Sequence, residues 1–181
     1  GLLLYGYLLK TDPVKLSRIM MVHSFTPLLI CREFMPYMVK NHKGYVLNIS
    51  SLAAVMPWPV IGMYGNTKRF TKGYSRQLRV ECRGTGVSVT NAYFGAVDTP
   101  LIPLKESLKK LARNVGVMIT PQKAVDSALG ATFARRKGAM PGVFNWIVYP
   151  ICAALPDCIL SLLVKWLGKY LGVPPTLEIE E

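Results

Sequence analysis

The chain is 181 residues long, 51% hydrophobic and 18% charged, with 22 lysines and arginines against 10 acidic residues for a formal charge of +12. At about 150 residues per domain this is room for little more than one, and so apolar a composition excludes intrinsic disorder. The basic balance points to an anionic membrane surface or a large anionic small molecule. No recognition-helix or aromatic-platform motif accompanies the charge, so no nucleic acid is expected.

The first nine residues are nearly all apolar and lack the basic start and small-residue cleavage site of a signal peptide. There is no initiator Met, and the expectation is a sequence that begins inside a longer one. From Thr11-Asp12-Pro13 to about Asn41 the pattern reads as one long, mostly buried helix. Thr11 or Asp12 caps it, Pro13 sits in its first turn, and Pro27 and Pro36 kink it. Asn41-His42-Lys43-Gly44 is a stop signal, with Gly44 the expected left-handed cap.

Tyr45-Val46-Leu47-Asn48-Ile49-Ser50 is a short run rich in strand formers and fits a buried parallel strand. A loop holding Pro57-Trp58-Pro59 follows, then a helix over about 63–83, ended by Gly84-Thr85-Gly86. Val87 to Tyr93 is the next strand, and Phe94-Gly95-Ala96-Val97-Asp98-Thr99 the loop at its carboxyl end. Strand, helix, strand makes a βαβ unit of a parallel sheet covered on both faces, with ligands bound just outside the carboxyl ends of the strands. Ser50-Ser51 and Phe94-Gly95 therefore line one crevice.

A basic helix is expected over 104–115 and another over 120–133, capped by Thr120 with Pro121 in its first position. The stretch 138–156 holds no charged residue and follows Arg135-Arg136-Lys137. Three prolines interrupt it, so it is too broken for a spanning helix, which wants about 20 consecutive apolar residues. A hydrophobic hairpin, a pocket wall and an interfacial segment all fit it. Residues 174–181 read as a solvated tail. Cys31, Cys82, Cys152 and Cys158 form no C-x-x-C pair and read as buried free thiols in a reducing compartment. Lys72, Arg76, Arg79 and Arg83 read as a solvated helix face, or else as a dimer interface.

Ser51, Tyr64 and Lys68 carry the chemistry. Tyr64 and Lys68 are four apart on a helix and project from one face. An ammonium beside a phenol favours the phenolate and lowers its pKa from about 10 toward neutrality, which makes the phenol a usable general acid or base. A serine hydroxyl at the neighbouring strand end can hold the substrate oxygen that gains or loses the proton.

Asn48-Ile49-Ser50-Ser51, Tyr64-Gly65-Asn66-Thr67-Lys68 and Phe94-Gly95-Ala96-Val97-Asp98-Thr99 together resemble the short-chain dehydrogenase/reductases. That family has an N-x-S-S strand end, then Y-x-x-x-K, then P-G-x-V-x-T. Pro57-Trp58-Pro59 is similar to the hydroxysteroid dehydrogenase and 3-oxoacyl-CoA reductase branch. The resemblance covers residues 1–142, with 143–181 an apolar helical extension and short tail. It implies an α/β fold with a Rossmann-like doubly wound parallel sheet, and hydride transfer between NAD or NADP and an alcohol/carbonyl pair. Tyr64 would be the acid/base and Ser51 would orient the substrate oxygen. Lys68 would hold the nicotinamide ribose and tune Tyr64. Gly95, Val97 and Thr99 would contact the nicotinamide and its phosphate, and Asn48 would stand on the ribose side of the strand end.

The sequence departs from the family in three places. His23 stands where the family has a relay asparagine, and it reads either as a proton relay or as a packed helix residue. Phe94 replaces the proline before Gly95. The T-G-x-x-x-G-x-G phosphate-binding turn occurs nowhere, and Gly1 falls near the family's N-A-G motif, so the first βαβαβ half is expected to be missing. The resemblance further implies a homodimer or homotetramer. The apolar character of 100–170 suggests a lipophilic substrate, and the location expected is cytoplasmic with peripheral membrane contact through the C-terminal region. The alternative reading is a non-catalytic membrane-surface protein derived from a dehydrogenase.

Overall fold

The structure, a computed structural model, describes residues 1–55, 61–102 and 105–171. Pro57-Trp58-Pro59 and the expected tail lie outside the described residues. Helices α1 (Pro13–Met20) and α2 (Thr26–Lys40) lead into strand β1 (Gly44–Ser51); helix α3 (Gly62–Glu81) and strand β2 (Val87–Phe94) follow. Next come β3 (Ala96–Val97), α4 (Glu106–Asn114), β4 (Met118–Ile119), α5 (Pro121–Phe133), β5 (Gly138–Ala139), α6 (Val143–Ala153) and α7 (Asp157–Leu171). A parallel sheet runs in the order β1-β2-β5, and β3 and β4 form a parallel pair of their own.

The strands are buried because helices cover both faces. Val46 and Val89 pack with Cys31 and Met35 of α2, Tyr74 of α3 and Cys82 just beyond it. The opposite face rests on α5 through a buried centre of small side chains, Ala92 and Ala139 against Ala128 and Ala131, with Leu47 and Phe94 at the margin and Tyr45 edge-on to Phe133. This is the βαβ arrangement expected from the sequence, with both strands and α3 within two residues of the expected bounds.

The expected long N-terminal helix runs from Pro13 to Lys40, but it is mostly exposed and is interrupted by a change of helical pitch. A five-residue π turn, Met21–Phe25, separates α1 from α2. Pro27 has no N–H for the carbonyl of His23 four residues earlier, and Thr71 Oγ1 on α3 donates to that carbonyl instead, at 3.1 Å. Thr71→Val keeps the side-chain shape and removes the donor. It is expected to cost about 1–3 kcal/mol, read as a lower urea midpoint at unchanged slope. An unmoved midpoint would show that the carbonyl finds another partner.

Four further expectations are corrected. The left-handed residue after α2 is His42, at φ 51°, not Gly44. Gly44 is needed for close approach, since a Cβ there would lie 2.7 Å from the Met38 side chain. The expected loop 94–99 contains β3, whose pairing with β4 runs on as Asp98 N donating to Ile119 O at 3.0 Å. The uncharged stretch opens as a strand and continues as α6, which accommodates Pro150 internally. Cys158 is exposed, whereas Cys31 and Cys82 are buried thiols as expected.

Candidate active site

The site lies at the carboxyl ends of β1 and β2. Ser51 stands opposite Phe94 in the sheet register, and its Oγ donates to Phe94 O at 3.2 Å. The same oxygen accepts from Ala53 N at 3.1 Å, capping the one-turn 3-10 helix Leu52–Ala54. The serine hydroxyl is thus fixed from two sides.

Helix α3 closes onto that turn. A Cβ on Gly65 would lie 2.9 Å from Ala53 O, so a side chain there would push the helix away. The close approach brings the half-buried Tyr64 to Ser51. Lys68 follows one turn on, its Nζ 5.8 Å from the Tyr64 ring centre and donating to Ile49 O at 3.0 Å. Ser50 Oγ donates to Lys68 O at 3.0 Å, so β1 grips the lysine from both ends.

The electrostatics differ from the expectation for Tyr64. Burial pushes its phenol above the ordinary value, and the contact with the Ser51 hydroxyl pulls only partly back. Burial pushes Lys68 down. Desolvation therefore outweighs the Ser51 contact, and the phenol keeps its proton at neutral pH.

His23 is buried in the π turn, its ring edge-on to Tyr64 at 5.5 Å between centres. Nε2 accepts from Leu2 N at 2.8 Å, so the proton of the neutral ring belongs on Nδ1, 3.2 Å from Thr67 Oγ1. Thr67 Oγ1 in turn donates to Tyr64 O at 2.7 Å. A chain of hydrogen bonds thus links His23 to the backbone of Tyr64, and both ring nitrogens take protein partners.

Burial, helped by the charge of Lys68, lowers the His23 pKa from 6.5 to about 4. The unfolded chain then binds more protons between these values. Stability is full above about pH 6.5, falls as pH drops below it, and levels off below about 4, a loss of about 3 kcal/mol from this group. Denaturation midpoints measured from pH 7.5 to 4 should show this slope, and His23→Asn should flatten it. Equal slopes in the two proteins would rule the histidine out as its source.

The remaining expected residues are placed as follows. Asn48 points at α3: its Nδ2 donates to Ser75 Oγ at 2.9 Å and its Oδ1 accepts from Tyr74 OH at 3.3 Å. There it clasps β1 to α3. Gly95 adjoins the Ser51–Phe94 contact, and the space a Cβ would need is taken by Asn145 Oδ1, 2.5 Å away. Val97 lies in β3. Thr99 Oγ1 turns back to Val97 O at 3.4 Å. Asp98 between them binds Lys109 at 3.1 Å and also Arg113, which holds its carboxyl below the usual range.

Sequence reasoning missed Thr67, Thr71 and Asn145. The first two stand three and seven residues after Tyr64, a spacing that put them within reach of the same helix face, but nothing in the sequence marks Asn145. A separate cleft of about 510 Å³ opens beyond the β3–β4 pair. Met118, Ile119, Val143 and Ile147 make apolar walls, with Arg113 and Lys123 as its cations. Neither Ser51 nor Tyr64 lines it.

A protein-family model described as short chain dehydrogenase matches residues 5–109. A very-long-chain 3-oxoacyl-CoA reductase of Coprinopsis cinerea is 28% identical over 131 residues, 72% of this chain and 39% of that protein. The 17-beta-hydroxysteroid dehydrogenase type 3 of Mus musculus is 37% identical over 65 residues, 36% of this chain and 21% of that protein. The chain spans 39–44% of the length of the 3-oxoacyl-CoA reductases it matches. Among solved structures, a 7beta-hydroxysteroid dehydrogenase superposes with a TM-score of 0.73 at 24% identity, over 84% of this chain and 59% of that one. A short chain dehydrogenase from Burkholderia cenocepacia J2315 in complex with NADP gives 0.69 at 22% identity, over 91% and 66%. At these identities the structural likeness carries the fold, a Rossmann-type parallel α/β sheet.

Proposed function

Because the chain belongs to the short-chain dehydrogenase family, we propose that it carries the proton-transfer residues of an NAD(P)-dependent oxidoreductase that interconverts an alcohol and a carbonyl. The observation that supports this most is the convergence of Ser51, Tyr64 and Lys68 on the strand ends, enforced by the close approach of Gly65 to Ala53.

The described residues fit one end of a nicotinamide dinucleotide. Lys68 offers a cation beside Tyr64, while the space beside Gly95 is taken by Asn145. The phosphate end has no counterpart in the sequence, which lacks the glycine-rich turn. When bound, the nicotinamide supplies or accepts the hydride. Ser51 Oγ, still accepting from Ala53 N, turns its proton from Phe94 O to the substrate oxygen and so holds it. Tyr64, whose phenol stays protonated at neutral pH, donates a proton to that oxygen as the carbonyl is reduced. His23 and Thr67 fix the backbone under Tyr64 and act as positioning residues.

A lipophilic substrate is part of the proposal, supported by relatives named for very-long-chain 3-oxoacyl-CoA reduction. So is self-association through α2 and α3, which leave Ile30, Phe34, Tyr37 and Val80 exposed. The test is carbonyl-dependent oxidation of NADH or NADPH by the intact protein carrying this sequence. Failure of either cofactor to support turnover of long-chain 3-oxoacyl or steroid ketones would overturn it.

A further inference from the structure

The C-terminal helices pose a problem that the oxidoreductase reading leaves unsolved. In α6, Val143, Trp146, Ile147 and Ile151 recur at helical spacing and are 78, 63, 58 and 58% exposed. In α7, Ile159, Leu162 and Trp166 recur likewise at 41, 64 and 60%. The inward sides are occupied: Asn145 and Val164 are buried, and Asn145 Nδ2 donates to Pro141 O. The apolar stripes are therefore not core side chains turned the wrong way. They lie across each helix from its one buried side chain among the described residues, Asn145 in α6 and Val164 in α7.

The charge pattern says what covers them. From Ser127 to Pro156 the sequence has no acidic residue, and its cations, Arg135, Arg136 and Lys137, stand together just before β5. Lys165 stands beside Trp166. A protein partner with an ordinary mixed surface would need acids here to pair with its own cations; an anionic bilayer needs none. Each stripe ends in or contains a tryptophan, whose amphipathic ring suits the headgroup boundary. Neither α6 nor α7 is long enough to span, since a crossing helix needs about 20 residues, so the segment lies in the plane of the interface.

We propose that α6 and α7 dock this protein onto the surface of an anionic lipid bilayer, with Val143, Trp146, Ile147 and Ile151 seated among the acyl chains and Arg135, Arg136 and Lys137 against the headgroups. Val143 and Ile147 also line the apolar cleft, so docking brings that cleft to the membrane. The binding is independent of the oxidoreductase reading and is measured without turnover.

The test is flotation of the full chain with phosphatidylcholine vesicles containing or lacking phosphatidylserine. Tryptophan quenching by lipids brominated in the acyl chain is read in the same samples. The expected result is co-flotation with the anionic vesicles, weakened by salt, with quenching of tryptophan. Val143→Asp with Ile147→Asp should lower the partition coefficient by about tenfold or more at unchanged circular dichroism. Arg135→Gln with Arg136→Gln should weaken binding to anionic vesicles alone. No co-flotation at low salt overturns the proposal. So does binding without quenching, which marks a purely electrostatic contact. A stable dimer by sedimentation that the Val143 and Ile147 changes dissolve also overturns it, by assigning the face to a second copy. Should the aspartate variant unfold, quenching of the unmodified chain decides alone.

Discussion

Tyr64→Phe is expected to lower kcat/KM for carbonyl reduction by about 10²–10⁴-fold, the range for loss of one positioned general acid. The change removes a single oxygen from a ring that is half-buried and stacked edge-on against His23, so packing and fold should persist. The loss should appear chiefly in kcat, because the phenol proton is wanted only as the substrate oxygen gains charge. Ser51→Ala should also lower kcat and raise KM as well, since the hydroxyl holds the substrate oxygen before reaction. Unchanged turnover in the phenylalanine variant, with unchanged circular dichroism, would remove Tyr64 from the reaction and the proposed proton-transfer mechanism with it. If the unmodified protein shows no turnover, the fault lies in the proposed activity or substrate class and not in the choice of residue.

The largest effect on stability is expected at Gly86. It precedes β2 at φ +81°, a region that costs a side-chain-bearing residue about 1–2 kcal/mol. A Cβ there would also run into the carbonyl oxygen of His42, in the turn that feeds β1. The collision is with backbone and cannot be relieved by a rotamer change. Gly86→Ala should therefore cost about 3–5 kcal/mol in all, a drop in Tm of roughly 10 °C for a chain of this size. Gly84 provides the internal control. Its φ is +83°, yet nothing lies within 4 Å of where its Cβ would be, so Gly84→Ala should show the backbone penalty alone. Equal melting temperatures for the two variants would show that the turn before β1 yields to the intrusion.

The parts of the fold that were legible in the sequence carry their own local signals. Tyr45 to Ser50 and Val87 to Tyr93 are continuous runs bounded by glycine, and Thr120-Pro121 announces α5 by its cap, which accepts from Lys123 N at 3.3 Å. Ser51, Tyr64 and Lys68 could be picked out because a strand end and a four-residue helical spacing suffice to bring them together. The rest depended on partners far along the chain. Pro27 announces a kink, but a π turn at His23 also needs Thr71 to donate to the spare carbonyl. Strands of two residues, such as β3, β4 and β5, have no periodicity to read. Choosing His42 over Gly44 as the left-handed residue requires knowing that Met38 leaves Gly44 no room. The direction of the Tyr64 shift was misjudged because spacing reveals a neighbouring charge and conceals the depth of burial.

The alanine layer between the sheet and α5 makes geometry there a question of calibration. Where leucines interdigitate, one side chain can trade volume with its neighbours; where four methyl groups make the buried centre of the contact, each is a shim of fixed thickness. A larger residue at Ala128 or Ala131 has nowhere to turn and can be admitted only by lifting the helix. Thr120 and Lys123 begin that helix and stand in the wall of the apolar cleft, so they would travel with it. The width of the cleft is thus set on the far side of the helix from it, by residues that never face it. Substitutions there would retune what the cleft admits without altering any group that touches its contents.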